Sequence, residues 1–120
     1  MGRLADMFLD RAAAGQGAIM PFITAGYPSL QATAELVEAI SNTGSDAIEI
    51  GIPFSDPIAD GPLIASTMHA SLGNGTTPAG VFDVVGQVRN CVDIPLIAMV
   101  SVSIVESANF VYGAEWVGSI

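Results

Sequence analysis

Residues 46–62 read DAIEIGIPFSDPIADGP, and this segment has two parts with different patterns. The first part is a short apolar run of strand length that is interrupted only by Glu49. The second part is a loop rich in proline and glycine that also contains two aspartates. Because side chains alternate along a strand, Glu49 lies on the face opposite Ile48 and Ile50. The segment therefore predicts a strand with one aliphatic face, followed by an acidic loop.

Strand and helix patterns alternate on both sides of this segment. Apolar runs of strand length lie at residues 18–24, 46–50 and 95–100. Helix patterns lie at residues 4–11, 29–44, 63–72 and 77–88, with a weak one at residues 106–120. Strands that alternate with helices predict βαβ units, in which parallel strands are covered by helices. The alternation alone fits both a doubly wound sheet and part of a barrel.

Local signals refine three of these elements. Pro21 has no N–H to donate to a neighbouring strand, which predicts an edge or a bulge for the first run. Ser29 and Thr77 are predicted N-caps, since each hydroxyl residue precedes an apolar stripe. The stripe behind Ser29 consists of Thr33, Leu36, Val37 and Ile40. The stripe behind Thr77 consists of Val81, Val84, Val85 and Val88.

The charged residues are few and strongly acidic. The chain has twelve aspartates and glutamates but only three basic residues, Arg3, Arg11 and Arg89, and its formal net charge is -9. Such a field repels nucleic acid and anionic membrane surfaces, so we expect neither as a partner. An anionic substrate would have to be held by backbone N–H groups and helix N-termini, because basic side chains are scarce.

Length and composition predict one soluble domain. The chain has 120 residues, of which 51% are hydrophobic, so residues 1–120 can form a single core. Cys91 is the only cysteine and gives no sign of an oxidising compartment. One histidine and one cysteine do not make a usual zinc site, and we expect no metal. The longest apolar stretch, residues 94–105, is too short for a bilayer, so a cytoplasmic protein is the simplest interpretation.

Several residues have an ordinary structural interpretation beside a functional one. From position alone, Glu49 also fits a carboxyl at the solvated rim of a strand, and the two loop aspartates fit turn residues. Residues 73–80 are rich in glycine but lack the lysine of a phosphate loop, which favours a turn between helices. His69 is predicted to be a surface or packing residue, and Cys91 a small buried apolar group.

Residues 49–62, EIGIPFSDPIADGP, closely resemble the signature of tryptophan synthase α-subunits. Residues 21–28, PFITAGYP, look like the first strand and loop of that family. Residues 75–78, GTTP, and residues 94–95, IP, match later segments of the family's sequence pattern. The resemblance therefore runs from about residue 3 to residue 100. It implies an α/β fold of the (β/α)8 TIM-barrel family. This chain would contain only the first three βα units, a partial barrel.

The resemblance also implies a reaction and the residues that perform it. Members of the family are lyases of tryptophan biosynthesis that cleave indole-3-glycerol phosphate to indole and glyceraldehyde 3-phosphate by a retro-aldol reaction, without a cofactor. Glu49 would be the general acid and base that protonates the indole ring carbon. Asp60 would accept a hydrogen bond from the indole N–H and stabilise positive charge on the ring. Phe22 and Val100 would line the indole pocket.

The implied protein partner is the tryptophan synthase β-subunit, in an α2β2 heterotetramer. Pro53, Asp56 and Pro57 would contact it, and their loop would couple closure to catalysis.

Two departures from the family pattern limit what this chain is expected to do. Residues 101–104 read SVSI where the family shows a Tyr-x-Asn-Pro-like end to its third strand. A complete (β/α)8 barrel also needs about 250 residues, and the family's glycine-rich phosphate site lies on later loops. We therefore expect little or no lyase activity from this chain alone. The alternatives are a fragment that only binds the β-subunit and a different phosphate-binding barrel enzyme.

Overall fold

The computed structural model describes residues 2–57 and 60–106 as helices that alternate with strands. In chain order the elements are α1 (Arg3–Ala13), β1 (Phe22–Thr24), α2 (Leu30–Ser41), β2 (Ile48–Gly51), α3 (Pro62–Gly73), α4 (Pro78–Val88) and β3 (Leu96–Met99). A 3-10 turn, Arg89–Cys91, joins α4 to the segment before β3, and residues 102–106 are helical. Most of the weak helix predicted at residues 106–120 lies outside the described residues.

The three strands form one parallel sheet in the order β1-β2-β3. Phe22, Glu49 and Ile97 form one row across it, so Glu49 has a strand on each side. The prediction of parallel βαβ units is therefore confirmed. Pro21 directly precedes β1 at an edge of the described sheet, where its carbonyl accepts a hydrogen bond of 2.9 Å from the Glu49 N–H. Within the described sheet, β1 is an edge strand, as predicted from Pro21.

The hydrophobic core lies between the sheet and the pair α2 and α4. Ile48 and Ile50 are fully buried there, in one cluster with Val37 of α2 and Val81 and Val85 of α4. These side chains define the outer face of the sheet. The opposite, inner face carries Glu49, as the alternation in β2 predicts.

The predicted helix caps are present. Ser29 Oγ accepts a 3.0 Å hydrogen bond from the Ala32 N–H, and Thr77 Oγ1 accepts one of 3.1 Å from the Gly80 N–H. These bonds satisfy N–H groups that have no partner inside the helix.

Two burial predictions are wrong. Leu36 is 40% exposed, because Thr33 and Val37 face the core and a residue next to Val37 is turned by about 100° around the helix. Cys91 is exposed, because it ends the 3-10 turn after α4 and does not continue the valine stripe.

The arginines lie at the amino-terminal end of the strands. Arg11 Nη1 is 3.4 Å from Asp46 Oδ1, and Asp46 Oδ2 accepts a 2.8 Å hydrogen bond from the Ile19 N–H. Arg89 donates to the carbonyls of Val92 and Ile94, just before β3. Burial, and then the positive charge of Arg3, lower the pKa of Arg89 below its usual value.

None of the helices in the described part of the chain is long and apolar enough to span a membrane.

Candidate active site

Glu49 lies within the inner face of the central strand. It is partly exposed, whereas its neighbours Ile48 and Ile50 are buried on the other face. It is flanked by Phe22 and Ile97 on the adjacent strands and lies two residues before the end of β2. Glu49 is therefore placed on the inner face of the central strand, near its carboxyl end.

Gly51, the last residue of β2, allows the ring of Phe22 to lie over the inner face. A Cβ atom at position 51 would be 2.6 Å from Phe22 Cζ and 3.4 Å from Met68 Cε. Any side chain would therefore displace the phenyl ring. The ring and the Met68 methyl group both lie above Gly51, next to the face that carries Glu49.

The acidic loop leaves β2 and returns to the same end of the sheet. Ile52 and Pro53 are buried, and Asp56 is exposed. The loop then turns, and the Asp60 N–H donates a 3.2 Å hydrogen bond to the Pro57 carbonyl. Asp60 lies just before α3 and is partly buried. The loop thus brings a second carboxyl to the carboxyl end of the sheet.

A cavity of about 360 Å³ lies between this loop, α3 and the end of β3. Its described lining consists of Ile52, Phe54, Asp56, Pro57, Asp60, Met68, Met99, Val100 and Ser101. Asp60 and Val100, two of the predicted site residues, therefore share one cavity. Ser101 also begins the helical residues 102–106, since its Oγ accepts a 3.2 Å hydrogen bond from the Ser103 N–H.

Phe22 lines a second cavity, of about 290 Å³, between β1 and the first two turns of α3. Thr24, Leu63 and Thr67 also line it. Phe22 and Val100 were expected to line one pocket, but in this structure they lie in two neighbouring cavities. Glu49 is not among the described residues that line either of them.

The residues predicted to bind a protein partner differ in accessibility. Asp56 is exposed and Pro57 is partly exposed, whereas Pro53 is buried within the chain. A partner that approaches this loop would meet the first two. Pro53 instead fixes the path of the chain as it leaves β2.

Hydroxyl groups that sequence analysis did not single out attach α3 to the end of β1. Thr67 Oγ1 is 2.7 Å from Thr24 Oγ1, and Ser71 Oγ donates a 2.7 Å hydrogen bond to the Ala25 carbonyl. Asn74 adds a 2.8 Å hydrogen bond from its Nδ2 to the Pro28 carbonyl. The available signal was the spacing of Thr67 and Ser71, since residues four apart share one face of a helix.

Gly26 fits between α2 and α3 because it has no side chain. Its φ is +79°, and a Cβ atom there would collide with the hydroxyls of Ser71 and Thr76. Its N–H donates a 2.8 Å hydrogen bond to Thr33 Oγ1. The loop after β1 is therefore closely packed on both sides.

The carboxyl end of the sheet is acidic. Glu49, Asp56 and Asp60 lie there, while all three arginines lie at the opposite end. His69 of α3 is exposed to solvent and does not line the Asp60 cavity. Within residues 2–57 and 60–106 no cluster of three His, Cys, Asp or Glu side chains could hold a metal ion. An apolar or hydrogen-bond-donating ligand suits this end better than an anion does.

A parallel sheet covered by helices, with carboxylates near the carboxyl ends of its strands, is the arrangement of an α/β protein and fits part of a (β/α)8 barrel. A model of the family described as tryptophan synthase alpha chain matches residues 8–117. This match covers most of the sequence. The chain belongs to the tryptophan synthase alpha chain family.

Individual relatives agree with this assignment. The tryptophan synthase alpha chain of Halorhodospira halophila is 43% identical over 111 residues, which are 92% of this chain and 41% of that protein. The one from Prochlorococcus marinus is 46% identical over 85 residues, 71% of this chain and 31% of that protein. This chain thus spans less than half the length of these relatives.

Solved structures show the same fold. The tryptophan synthase subunit alpha of Legionella pneumophila str. Paris superimposes with a TM-score of 0.93 at 30% identity, over 99% of this chain and 46% of that one. Tryptophan synthase from M. tuberculosis, in an aminoacrylate-bound form, gives a TM-score of 0.89 at 25% identity, over 99% of this chain and 49% of that one. The TIM-barrel assignment, here as a partial barrel, is confirmed.

Proposed function

We propose that residues 1–120 form one domain that supplies the acid–base part of a tryptophan synthase α-type lyase site. The reaction is the cleavage of indole-3-glycerol phosphate to indole and glyceraldehyde 3-phosphate. The observation that carries the proposal is the position of two carboxyls at one end of β2, with Glu49 on the inner face of the strand and Asp60 on the loop that follows it. A cytoplasmic location is part of the proposal, since the single cysteine indicates no oxidising compartment.

Each carboxyl has a distinct role in this reaction. Glu49 donates a proton to the indole ring carbon, and the bond from that carbon to the glycerol phosphate then breaks. The hydroxyl on the released carbon gives its proton to the Glu49 carboxylate as it becomes the aldehyde of glyceraldehyde 3-phosphate, which restores the starting state of Glu49. Asp60 accepts a hydrogen bond from the ring N–H and stabilises the positive charge that develops there. The apolar side chains of Phe22 and Val100 provide surface for the flat ring.

The β-subunit is the proposed protein partner, and the loop around Asp56 and Pro57 is the proposed contact. The Asp60 N–H is bonded to the Pro57 carbonyl at 3.2 Å, so a partner that moves Pro57 also moves Asp60. This bond gives a direct route by which binding at the loop would change the position of a catalytic carboxyl.

A second function is favoured by the distribution of charge. All three arginines lie at the amino-terminal end, and in the described chain no basic side chain lines the Asp60 cavity to hold the substrate's phosphate. Binding energy from a remote phosphate helps to place the reacting carbon. The chain by itself could therefore act as a non-catalytic fragment that binds the β-subunit through its exposed loop.

Indole release from indole-3-glycerol phosphate tests both functions. The chain is assayed alone, with a β-subunit, and joined to the remaining length of the Halorhodospira halophila relative. We expect no turnover by the chain alone and turnover by the joined protein. Glu49→Gln in the joined protein should lower kcat by at least about 100-fold, whereas the matched change Glu38→Gln on the exposed face of α2 should have no effect.

Two results would contradict the proposal. Robust turnover by the 120-residue chain alone would show that no further phosphate site is needed. A joined protein that is indifferent to Glu49→Gln would remove Glu49 from the reaction. Binding of the chain to the β-subunit without turnover in any form would favour the second function.

A further inference from the structure

Among the described residues, two side chains meet between the two cavities at the carboxyl end of the sheet. The cavity with Asp60 measures about 360 Å³ and the cavity with Phe22 about 290 Å³. Met68 lines the first and Phe22 lines the second. Both reach the space above Gly51, where the Phe22 ring and the Met68 Cε lie within 3.4 Å of the position that a Cβ atom would occupy. In the part of the chain that the structure describes, one aromatic ring and one methionine over a glycine therefore form the partition between the cavities.

We propose that Met68 is a specificity-determining residue: it limits the length of the ring-bearing ligands that fit into the Asp60 cavity. This inference rests on the proposed function for the identity of the natural ring, but its geometry does not. Met68 is 2% exposed and sits on α3, whose backbone is fixed by the bonds of Thr67 and Ser71 to the end of β1. The helix therefore holds the side chain in place at its Cα.

The side chain of Met68 is the movable part of the partition. Methionine is unbranched and has three rotatable side-chain bonds, so it adapts to neighbours more easily than Phe22 does. If its end group were absent or turned away, the Asp60 cavity would extend as far as the Phe22 ring above Gly51. Glu49 lies on the same inner face two residues earlier, about 6.6 Å along the strand. The lengthened cavity would thus approach the face that carries Glu49.

The partition predicts a difference between short and long ligands. A single flat ring fits on one side of Met68, whereas a ring with a rigid or extended substituent needs space on both sides. Phenol and 4-phenylphenol form a pair that differs in length without reference to the proposed reaction. Indole and indole-3-propanol form a second pair that includes the proposed ring.

Calorimetric titration of the whole chain with both pairs tests the proposal. We expect Met68→Ala to raise the affinity for the long member relative to the short one by about tenfold. Met68→Leu, which keeps the volume, should leave the ratio near that of the unchanged chain. Met20→Ala is the matched control, since Met20 is 42% exposed and lines neither cavity.

The two ligand pairs separate failure of this inference from failure of the proposed function. The phenol ratio is the affinity for 4-phenylphenol divided by the affinity for phenol. If Met68→Ala leaves this ratio unchanged, the partition does not limit ligand length and the inference is overturned. If the phenol ratio rises while neither indole compound binds, Met68 acts as inferred but the proposed substrate ring is wrong. Should Met68→Ala fail to fold, a crystal structure of the unchanged chain with 4-phenylphenol decides. Met68 turned away from Gly51 supports the inference, and a long ligand bound beside an unmoved Met68 overturns it.

Discussion

The two ends of the sheet use their charged residues in opposite ways. At the amino-terminal end, Asp46 is paired with Arg11 at 3.4 Å and accepts the Ile19 N–H, and Arg89 bonds to two carbonyls. At the carboxyl end, the carboxylates of Glu49 and Asp60 form no ion pair with any described residue. The first arrangement holds segments of chain together, while the second leaves carboxylates available to a ligand. This division matches the general separation of stability and catalysis between the two ends of (β/α) barrels.

The largest effect on stability is expected from a glycine at the carboxyl end. Gly26→Ala places a methyl group in a left-handed conformation and against the hydroxyls of Ser71 and Thr76. We expect a loss of about 3 kcal/mol or more in the free energy of unfolding, measured by urea denaturation. Gly15→Ala is the matched control at the amino-terminal end, because Gly15 also has a positive φ, of 68°, but open space around it. Its cost should be only about 1 kcal/mol, and equal costs at the two positions would show that packing around Gly26 contributes nothing.

A smaller effect is expected from the ion pair at the amino-terminal end. Asp46→Asn removes the charge that faces Arg11 and weakens the bond to the Ile19 N–H. The pair is partly exposed, so we expect a loss of about 1 kcal/mol in urea denaturation, decreasing at high salt. A loss that is the same in low and high salt would indicate that the hydrogen bond alone matters.

Carboxylates at the carboxyl end should matter much less for folding. Glu49→Gln and Asp60→Asn remove negative charge from a chain whose formal net charge is -9 and break no ion pair among the described residues. We expect the free energy of unfolding to change by less than about 0.5 kcal/mol for each. Destabilisation of either variant as large as that of Asp46→Asn would mean that these carboxyls hold structure and would remove the contrast between the two ends.

The weakest expected effect is self-association of the chain. Phe8, Leu9 and Ile19 are 45%, 55% and 67% exposed, and β1 and β3 are edges of the described sheet. Exposed apolar surface and unpaired strand edges favour contacts between copies. We expect sedimentation velocity to show reversible association with a dissociation constant on the order of 100 μM. A chain that stays monomeric at concentrations well above that dissociation constant would contradict this expectation.

Sequence analysis succeeded where short-range patterns determine structure. Alternation in β2 correctly placed Glu49 opposite Ile48 and Ile50, and the hydroxyls of Ser29 and Thr77 correctly marked two helix starts. These predictions depend on residues within one turn of helix or one strand. They do not require knowledge of which elements meet.

The incorrect or missed features depend on contacts between distant segments. Leu36 belongs to the expected stripe of α2, but only Thr33 and Val37 of that stripe are buried and Leu36 is 40% exposed. The division of the site into two cavities depends on Met68 and Phe22 meeting over Gly51. These three residues lie on three different elements, α3, β1 and β2. No pattern within a single helix or strand contains that information. The catalytic roles of Glu49 and Asp60 stay predictions that the proposed assays test.

The hydrogen bond from the Gly26 N–H to Thr33 Oγ1 makes a loop amide behave like one in a helix. The Thr33 hydroxyl donates to the Ser29 carbonyl at 3.1 Å and accepts the Gly26 N–H at 2.8 Å, so both of its partners are fixed. Solvent deuterium can exchange with this amide only when the loop after β1 separates from the first turn of α2. Its exchange rate would therefore follow the opening of this contact and not motion of the loop by itself. A glycine in a connecting segment would be among the slowest-exchanging amides of the chain.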